Sequence, residues 1–424
     1  MRTLNPSLRR GRRVPLIAAL AAVALTAVAC GGGSSSGSGG GTASASADTA
    51  ILGTAKAATG TPVKIGWVSD GRTPAVDTTD EIKGAQATAA YANAYLGGLR
   101  GHPIELVTCE TKGVPATAQA CGNTFVQQHV AAVAVGSPGQ IDPWLKVVQA
   151  AGIPVGANLL STTLSLTGPG VFVWGNPLAV FGTPAAYARD NKLTKAAVLV
   201  TDVPAASGPA KALEPAFFRN GGATADVIAI PAGTADMTPQ VQSAKRPQLY
   251  HVIGDPTFCA SAIRAIRTID PSASITAIDR CLGADKGASI PGGYKGIKIV
   301  AQFNTDVNDN EYKLYKAVIA KFGRSLPLDA SAASGYQGML GFVRAVNAGG
   351  GTDVTSAGIL KALQTMPATP YPLGGGGKFK CDGTAMAGIS KNICSTVGFI
   401  ADGAADGSPS NFKTLDMTGI FKLG

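Results

Sequence analysis

The residues of this chain that could do chemistry are short polar groups placed directly after apolar runs. Ser69-Asp70-Gly71 follow the run 63–68, Gly136-Ser137-Pro138-Gly139-Gln140 follow 130–135, and Asn158-Leu159-Leu160-Ser161-Thr162 follow 153–156. Farther along, Asp202-Val203 follow 196–201, Gly254-Asp255-Pro256 follow 249–253, and Asp279-Arg280 follow 274–278. Small hydroxyls, amides and glycines beside helix starts suit the holding of a polar or anionic solute, because backbone N–H groups and the helix dipole attract negative charge there. The candidate binding set is therefore Ser69, Asp70, Ser137, Gly139, Gln140, Leu160, Ser161, Thr162, Asp202, Asp255, Asp279 and Arg280. Each residue taken singly also has a structural reading, since Ser, Asp and Asn cap helices whatever the function. Their recurrence at successive strand ends favours binding. Arg280 leaves two roles open: a two-pronged bond to a ligand carboxylate, or an ion pair with Asp255 or Asp279.

Catalysis finds no comparable support. Gly33-Ser34-Ser35-Ser36-Gly37 has the spacing of a nucleophile elbow but sits in a glycine-serine stretch, without strand and helix around it. Gly377-Lys378 resembles the end of a phosphate loop, yet Phe379 stands where Ser or Thr is needed. His102, His129 and His251 stand in no metal or triad pattern. No enzyme activity, metal or cofactor is expected. Trp67, Trp144 and Trp174 read first as packing residues, given the area an indole buries, with Trp67 and Trp174 as secondary cleft candidates.

The polar groups need strands and helices to position them, and the chain supplies an alternation of both. Strands are expected at 63–68, 102–108, 130–135, 153–156, 196–201, 225–230, 249–253, 274–278 and 296–303. Helices are expected at 80–95, 116–129, from Asp142-Pro143 with Asp142 as cap, from Thr183-Pro184 to about Asn191, at 210–220, from 256 to 269, and at 311–322 and 332–348. Short buried strands alternating with helices indicate parallel α/β sheets. In such sheets ligands bind beyond the carboxyl ends of the strands. The rhythm restarts near residue 182, which indicates two lobes.

The first 41 residues read as an export signal. Arg2, Arg9, Arg10, Arg12 and Arg13 precede an uncharged run of 16 residues, Val14–Ala29, then Cys30 and the stretch 31–41 of glycine and serine. That run is shorter than the roughly 20 residues a spanning helix needs, and the cysteine and linker decide against an uncleaved anchor. The pattern resembles a bacterial lipoprotein signal with Cys30 as the acylated residue, although Ala27 stands where Leu is more usual. Removing the five signal arginines lowers the formal charge from +10 to +5. The remaining cations are scattered, which excludes a nucleic-acid surface. Six further cysteines fall into three local pairs, Cys109 with Cys121, Cys259 with Cys281 and Cys381 with Cys394, and an exported chain favours their oxidation.

The chain resembles the solute-binding lipoproteins of ABC importers, in the branched-chain amino-acid (leucine/isoleucine/valine) binding family with the type I periplasmic-binding fold. The resemblance spans about 62–400. It rests on Val63-Lys64-Ile65-Gly66-Trp67-Val68, Gly84-Ala85-Gln86 with Tyr91 and Asn93, Gly97-Gly98-Leu99-Arg100-Gly101, Ala151-Gly152-Ile153-Pro154, Tyr336-Gln337 and Gly374–Gly383. It implies an α/β fold of two Rossmann-like lobes with parallel sheets joined by three crossovers. The implied division is a signal at 1–29, an acylated tether at 30–60, lobe 1 at 61–182 plus 304–372, and lobe 2 at 183–303 plus 373–424. It further implies a ligand carboxylate held near Ser137–Gln140 and Leu160-Ser161. On the second lobe the aromatic residue usual in the family is missing from Pro204-Ala205-Ala206, and the acid position falls at Asp279 or has become Arg280. The expected partners are a small solute, a permease and the outer face of the cytoplasmic membrane through the lipid. A monomer is expected. The alternative is a sensor of the same fold that signals to a membrane partner without transport.

Overall fold

The computed structural model describes residues 49–73, 77–283, 285 and 287–422. The signal, Cys30, the Gly33–Gly37 spacing and most of the tether lie outside the described residues. The chain from Ala47 onward forms a compact unit of its own.

Its first half runs β1 (Val63–Ser69), α1 (Thr79–Tyr91), β2 (Ile104–Glu110), α2 (Pro115–Gln127), β3 (Ala132–Val135), α3 (Asp142–Ala150), β4 (Val155–Ala157), α4 (Thr163–Thr167) and β5 (Val171–Val173). These five strands make an all-parallel sheet in the order β2-β1-β3-β4-β5. The second half runs α5 (Ala179–Asp190), β6 (Lys195–Thr201), α6 (Pro204–Asn220), β7 (Thr224–Ile230), α7 (Thr238–Ser243), β8 (Leu249–Ile253), α8 (Pro256–Ile269), β9 (Ser274–Ile278) and β10 (Lys298–Ala301). Then come α9 (Asn310–Phe322), α10 (Ala330–Ala348), α11 (Ser356–Thr365), a short hairpin of β11 (Thr369–Pro370) and β12 (Lys378–Phe379), β13 (Gly398–Gly403) and β14 (Pro409–Leu415). The second sheet has the order β14-β13-β10-β9-β8-β6-β7, with β13 and β14 antiparallel at one edge.

The chain passes between the two lobes three times: after β5, after β10, and in 380–397 between β12 and β13. Helix α10 returns to the first lobe and packs on β3, β4 and α1. Glycines let it come close. A Cβ at Gly84 would stand 2.4 Å from the Ala332 carbonyl oxygen, and one at Gly335 would stand 2.0 Å from that of Glu81. Separate apolar cores fill the lobes. Phe217, Phe218, Tyr250, Ile263 and Phe421 belong to the second, and Trp67, Trp174, Phe342, Phe379 and Phe399 to the core that runs from the first lobe into the crossings.

Several boundaries differ from expectation. Helix α1 ends at Tyr91 and continues as a π-helical turn, Ala92–Leu96. Asp142 is the first residue of α3, not its cap: the cap position is Ile141, which makes no side-chain bond, and Asp142 Oδ1 has no partner among the described residues. Helix α5 starts at Ala179, a turn before Thr183-Pro184. Pro184 inside it has no N–H for the carbonyl four residues back, which is Val180. His251 Nε2 donates to that oxygen instead, at 3.1 Å, so the helix passes through the proline with its backbone satisfied. The three expected cysteine pairs all form disulfides, with Cα–Cα separations of 5.6, 5.5 and 4.3 Å in chain order. All three tryptophans are fully buried packing residues. Among the described residues no helix is long and apolar enough to cross a membrane.

Candidate functional site

The polar groups read from the strand ends separate into two clusters. The first lies wholly within the first lobe and is internally satisfied. Asp70 Oδ2 accepts the Gly139 N–H at 2.6 Å, and its Oδ1 accepts the Thr111 hydroxyl at 2.6 Å and the Gln140 N–H at 3.3 Å. Glu81, on the first turn of α1, is buried and accepts the Ser137 N–H at 2.7 Å and the Ser334 hydroxyl of α10 at 2.9 Å. Ser137 and Ser334 also share a hydroxyl contact of 3.1 Å. Burial drives the Glu81 carboxyl above its ordinary range, against the bonds from Ser69, Ser137 and Ser334 that favour its charge. Ser69 is buried against Thr78.

The neighbouring loop is also committed to the fold. The Asn158 and Leu159 N–H groups bond the Val135 and Gly136 carbonyls. Leu160 is a core residue, and Thr162 caps α4 by accepting the Ser165 N–H. Ser161 is exposed.

The second cluster surrounds a cavity of about 630 Å³ at the carboxyl ends of β6, β8, β9 and β10. Asp255, Asp279 and Arg280 stand on its wall; Asp202 does not, though its neighbours Thr201 and Val203 do. The crossings add Asn176-Pro177 after β5, Gln302 after β10 and Val397, while Tyr371 comes from the turn between β11 and β12, Phe399 from β13, and Val180 and Phe181 from α5. Leu159 is the first-lobe loop residue that reaches it.

Each polar group on this wall has a distinct state. Asp255 caps α8, its Oδ1 accepting the Thr257 and Phe258 N–H groups at 2.9 and 3.1 Å. Asp279 accepts the Gln302 N–H at 3.2 Å, and burial pushes its carboxyl upward while the adjacent Arg280 pulls it back. Arg280 is exposed and is the cationic residue of the wall. Its guanidinium enters no ion pair or hydrogen bond among the described residues, so the ion pair with Asp255 or Asp279 is not formed. The Cys259–Cys281 disulfide ties the first turn of α8 to the turn that carries Arg280. Asn176 is 7% exposed; its Oδ1 accepts the Leu178 N–H at 3.0 Å, and its Nδ2 has no partner in the protein. Tyr371 donates its hydroxyl to Asn158 Oδ1 at 2.9 Å. Burial holds that phenol in its protonated form.

The arrangement offers a polar rim and an apolar body to a bound solute. Among the described residues no cluster of His, Cys, Asp and Glu could hold a metal. The aromatic side chains absent from the second-lobe loops are present in the cavity as Phe181, Tyr371 and Phe399. They lie at the start of α5, in the turn between β11 and β12 and on β13, none of which follows a strand predicted from the sequence. The signal that could find them is the Asn176-Pro177 pair and the Gln302-Phe303-Asn304 stretch, polar breaks at the end of each lobe's last parallel strand.

A family profile described as periplasmic binding protein matches residues 62–390. No curated protein matches the sequence. Solved structures do match in fold. One is the branched-chain amino-acid transporter substrate-binding protein LivJ from Streptococcus pneumoniae in complex with isoleucine: 19% identity, 84% of this chain and 99% of that one, TM-score 0.59. A putative branched-chain amino acid ABC transporter protein from Rhodospirillum rubrum has 16% identity over 82% of this chain and 99% of its own, TM-score 0.66. A solute-binding protein of an ABC transporter from R. palustris, in complex with 4-hydroxybenzoate, has 16% identity over 84% and 95%, TM-score 0.60.

Proposed function

The chain belongs to the periplasmic binding protein family, and from that premise we propose that it is the extracytoplasmic solute receptor of an ABC importer. It captures one small solute in the cavity between its lobes and presents it to a permease. The observation that carries this reading is the cavity itself. Its wall is built from the strand ends of one sheet and from the connecting segments, so a ligand there touches the parts that a hinge motion would move. A solute that bonds both sides stabilises the closed arrangement, and a permease can distinguish that arrangement from the open one.

In the lipoprotein reading of Cys30 the receptor is held at the outer face of the cytoplasmic membrane through the acylated cysteine and the glycine-serine stretch that follows it. In this reading the lobes are residues 61–182 with 304–372 and residues 183–303 with 373–424, the receptor is a monomer, and it binds its solute without transforming it.

A thermal-shift panel tests the proposal. Amino acids, aliphatic and aromatic acids, amides and sugars are added singly to the purified protein. At least one class should raise the melting temperature in a saturable way, as a ligand that binds only the folded state must. A flat response to every class would refute the receptor role.

A further inference from the structure

We infer that the polarity of the binding site is reversed relative to the first-lobe carboxylate site that the family resemblance implies: the anion position of the first-lobe loop is filled by this chain's own Asp70 and Glu81, and the solute is an apolar-bodied carboxylate whose charge is taken by Arg280 of the second lobe. The inference rests on the receptor reading and names the ligand class of that same cavity.

The first half follows from the hydrogen bonds of one loop. Ser137, Gly139 and Gln140 offer three N–H groups at the end of β3, the arrangement that would take an external carboxylate. All three are bonded to carboxylates already, Ser137 to Glu81 and the other two to Asp70. Asp70 is tethered at the end of β1, so it competes with a diffusing anion at high effective concentration. A second carboxylate at this loop would find the N–H groups of Ser137, Gly139 and Gln140 already taken and would face the charge of Asp70.

The second half follows from the cavity. Its wall is largely apolar, with Phe181, Ile253, Tyr371, Val397 and Phe399 among its residues. Two of its donors are open: the exposed guanidinium of Arg280, which bonds no other group among the described residues, and the buried Nδ2 of Asn176, which has no partner among them. Asp255 and Asp279 each have an oxygen engaged by backbone N–H groups. A buried donor without a partner calls for an acceptor, and an exposed guanidinium can exchange its water for a carboxylate in two-pronged geometry. The volume of about 630 Å³ lies in the range of small-molecule pockets and accommodates a ring or a branched chain beside the charged head.

The test uses the full chain extracted in detergent, and four probes: benzoate, phenylacetate, 4-methylpentanoate and leucine, each paired with its amide. Calorimetry should show at least one carboxylate binding and its amide binding at least tenfold more weakly. Arg280→Ala should weaken the bound carboxylate by about tenfold to a hundredfold, the scale of a charged hydrogen bond. The variant's unliganded melting temperature should change little, because Arg280 is exposed and its guanidinium forms no ion pair or hydrogen bond among the described residues. Arg280→Lys should keep part of the affinity. A second arm needs no knowledge of the solute. Asp70→Ala vacates the Gly139 and Gln140 N–H groups, so acetate should raise the melting temperature of this variant and leave the wild type unaffected. A carboxylate bound no better than its amide, or bound equally by Arg280→Ala, would overturn the inference and leave the receptor role standing. If none of the probes and no solute of the wider panel binds, the receptor reading fails and this inference with it.

Discussion

His251 and Pro184 act as one unit. The proline removes the N–H that would bond Val180, and the imidazole Nε2 supplies a donor in its place. Val180 O can only accept, so Nε2 carries the proton and Nδ1 accepts the Thr276 hydroxyl at 2.9 Å. Burial lowers the His251 pKa from 6.5 to about 4. The unfolded chain therefore takes up a proton that the folded chain refuses. The stabilisation from neutral His251 is complete above pH 6.5 and is lost as pH falls toward 4, by about 3 kcal/mol at most. Urea unfolding at pH 7.5 and pH 5 should show this loss, and His251→Gln should show a smaller one. Equal losses in both would mean that the imidazole is not the titrating group. Glu214 has the opposite sign. It is fully buried on α6 with both oxygens unpartnered in the protein, and burial pushes its carboxyl well above the ordinary 4.5. Folding favours its protonated form, so its contribution is complete below pH 4.5 and falls as pH rises. Glu214→Met should raise stability at pH 8 by about 1–3 kcal/mol, the scale of an unpaired buried polar group, with little gain at pH 4.5. A lower melting temperature at pH 8 would show that the carboxyl has a partner. Neither group could be assigned from sequence, since a lone His in a strand and a Glu between two helical prolines carry no mark of burial.

Among the elements, the contact between α1 and α10 depends most on single atoms. Gly335→Ala would set a methyl 2.0 Å from the Glu81 carbonyl oxygen, which is backbone and cannot swing aside. Overpacking of this kind should cost about 1–3 kcal/mol, read as a lower urea midpoint at unchanged slope. A wild-type midpoint would show that the helices slide apart freely. The parallel strands β1–β4 and β6–β10 were legible because most of their apolar runs end in Ser, Asn, Asp or Gly, whereas β5, Val171–Val173, is too short a run to stand out and was not expected. The hairpin of β11 and β12, helix α11 and the edge strands β13 and β14 were not expected. Strand β14, Pro409–Leu415, is mostly exposed, and an edge strand with one solvated side carries little apolar pattern. Helix α5 was started a turn late because Pro184 imitates a helix opening. The local cysteine pairs were legible because each joins a strand end or loop to a nearby segment, and the fold closes all three as expected.

At the scale of the molecule, the strand-end rule found the right edge of both sheets but could not divide it. Asp255, Asp279 and Arg280 lie on the cavity wall, while Ser69, Asp70, Ser137, Gly139 and Gln140 form the closed cluster of the first lobe. Sequence shows which residues follow a strand; it does not show which of their donors the fold has already used. Asp70 is the clearest case, since an exposed ligand acid and an internal tether read alike until Gly139 and Gln140 are seen bonded to it. The remaining wall residues were equally hidden, because Asn176 and Gln302 of the crossings meet Tyr371 and Phe399 only when both lobes exist. In the proposed receptor the crossings are the segments on which closure would turn. Small-angle X-ray scattering on the full chain in detergent, with and without the tightest-binding carboxylate probe, therefore tests the account most directly. Saturating ligand should reduce the radius of gyration of the wild type, and the same concentration should leave Arg280→Ala unchanged. Binding that leaves the wild-type scattering unaltered would contradict closure around the solute.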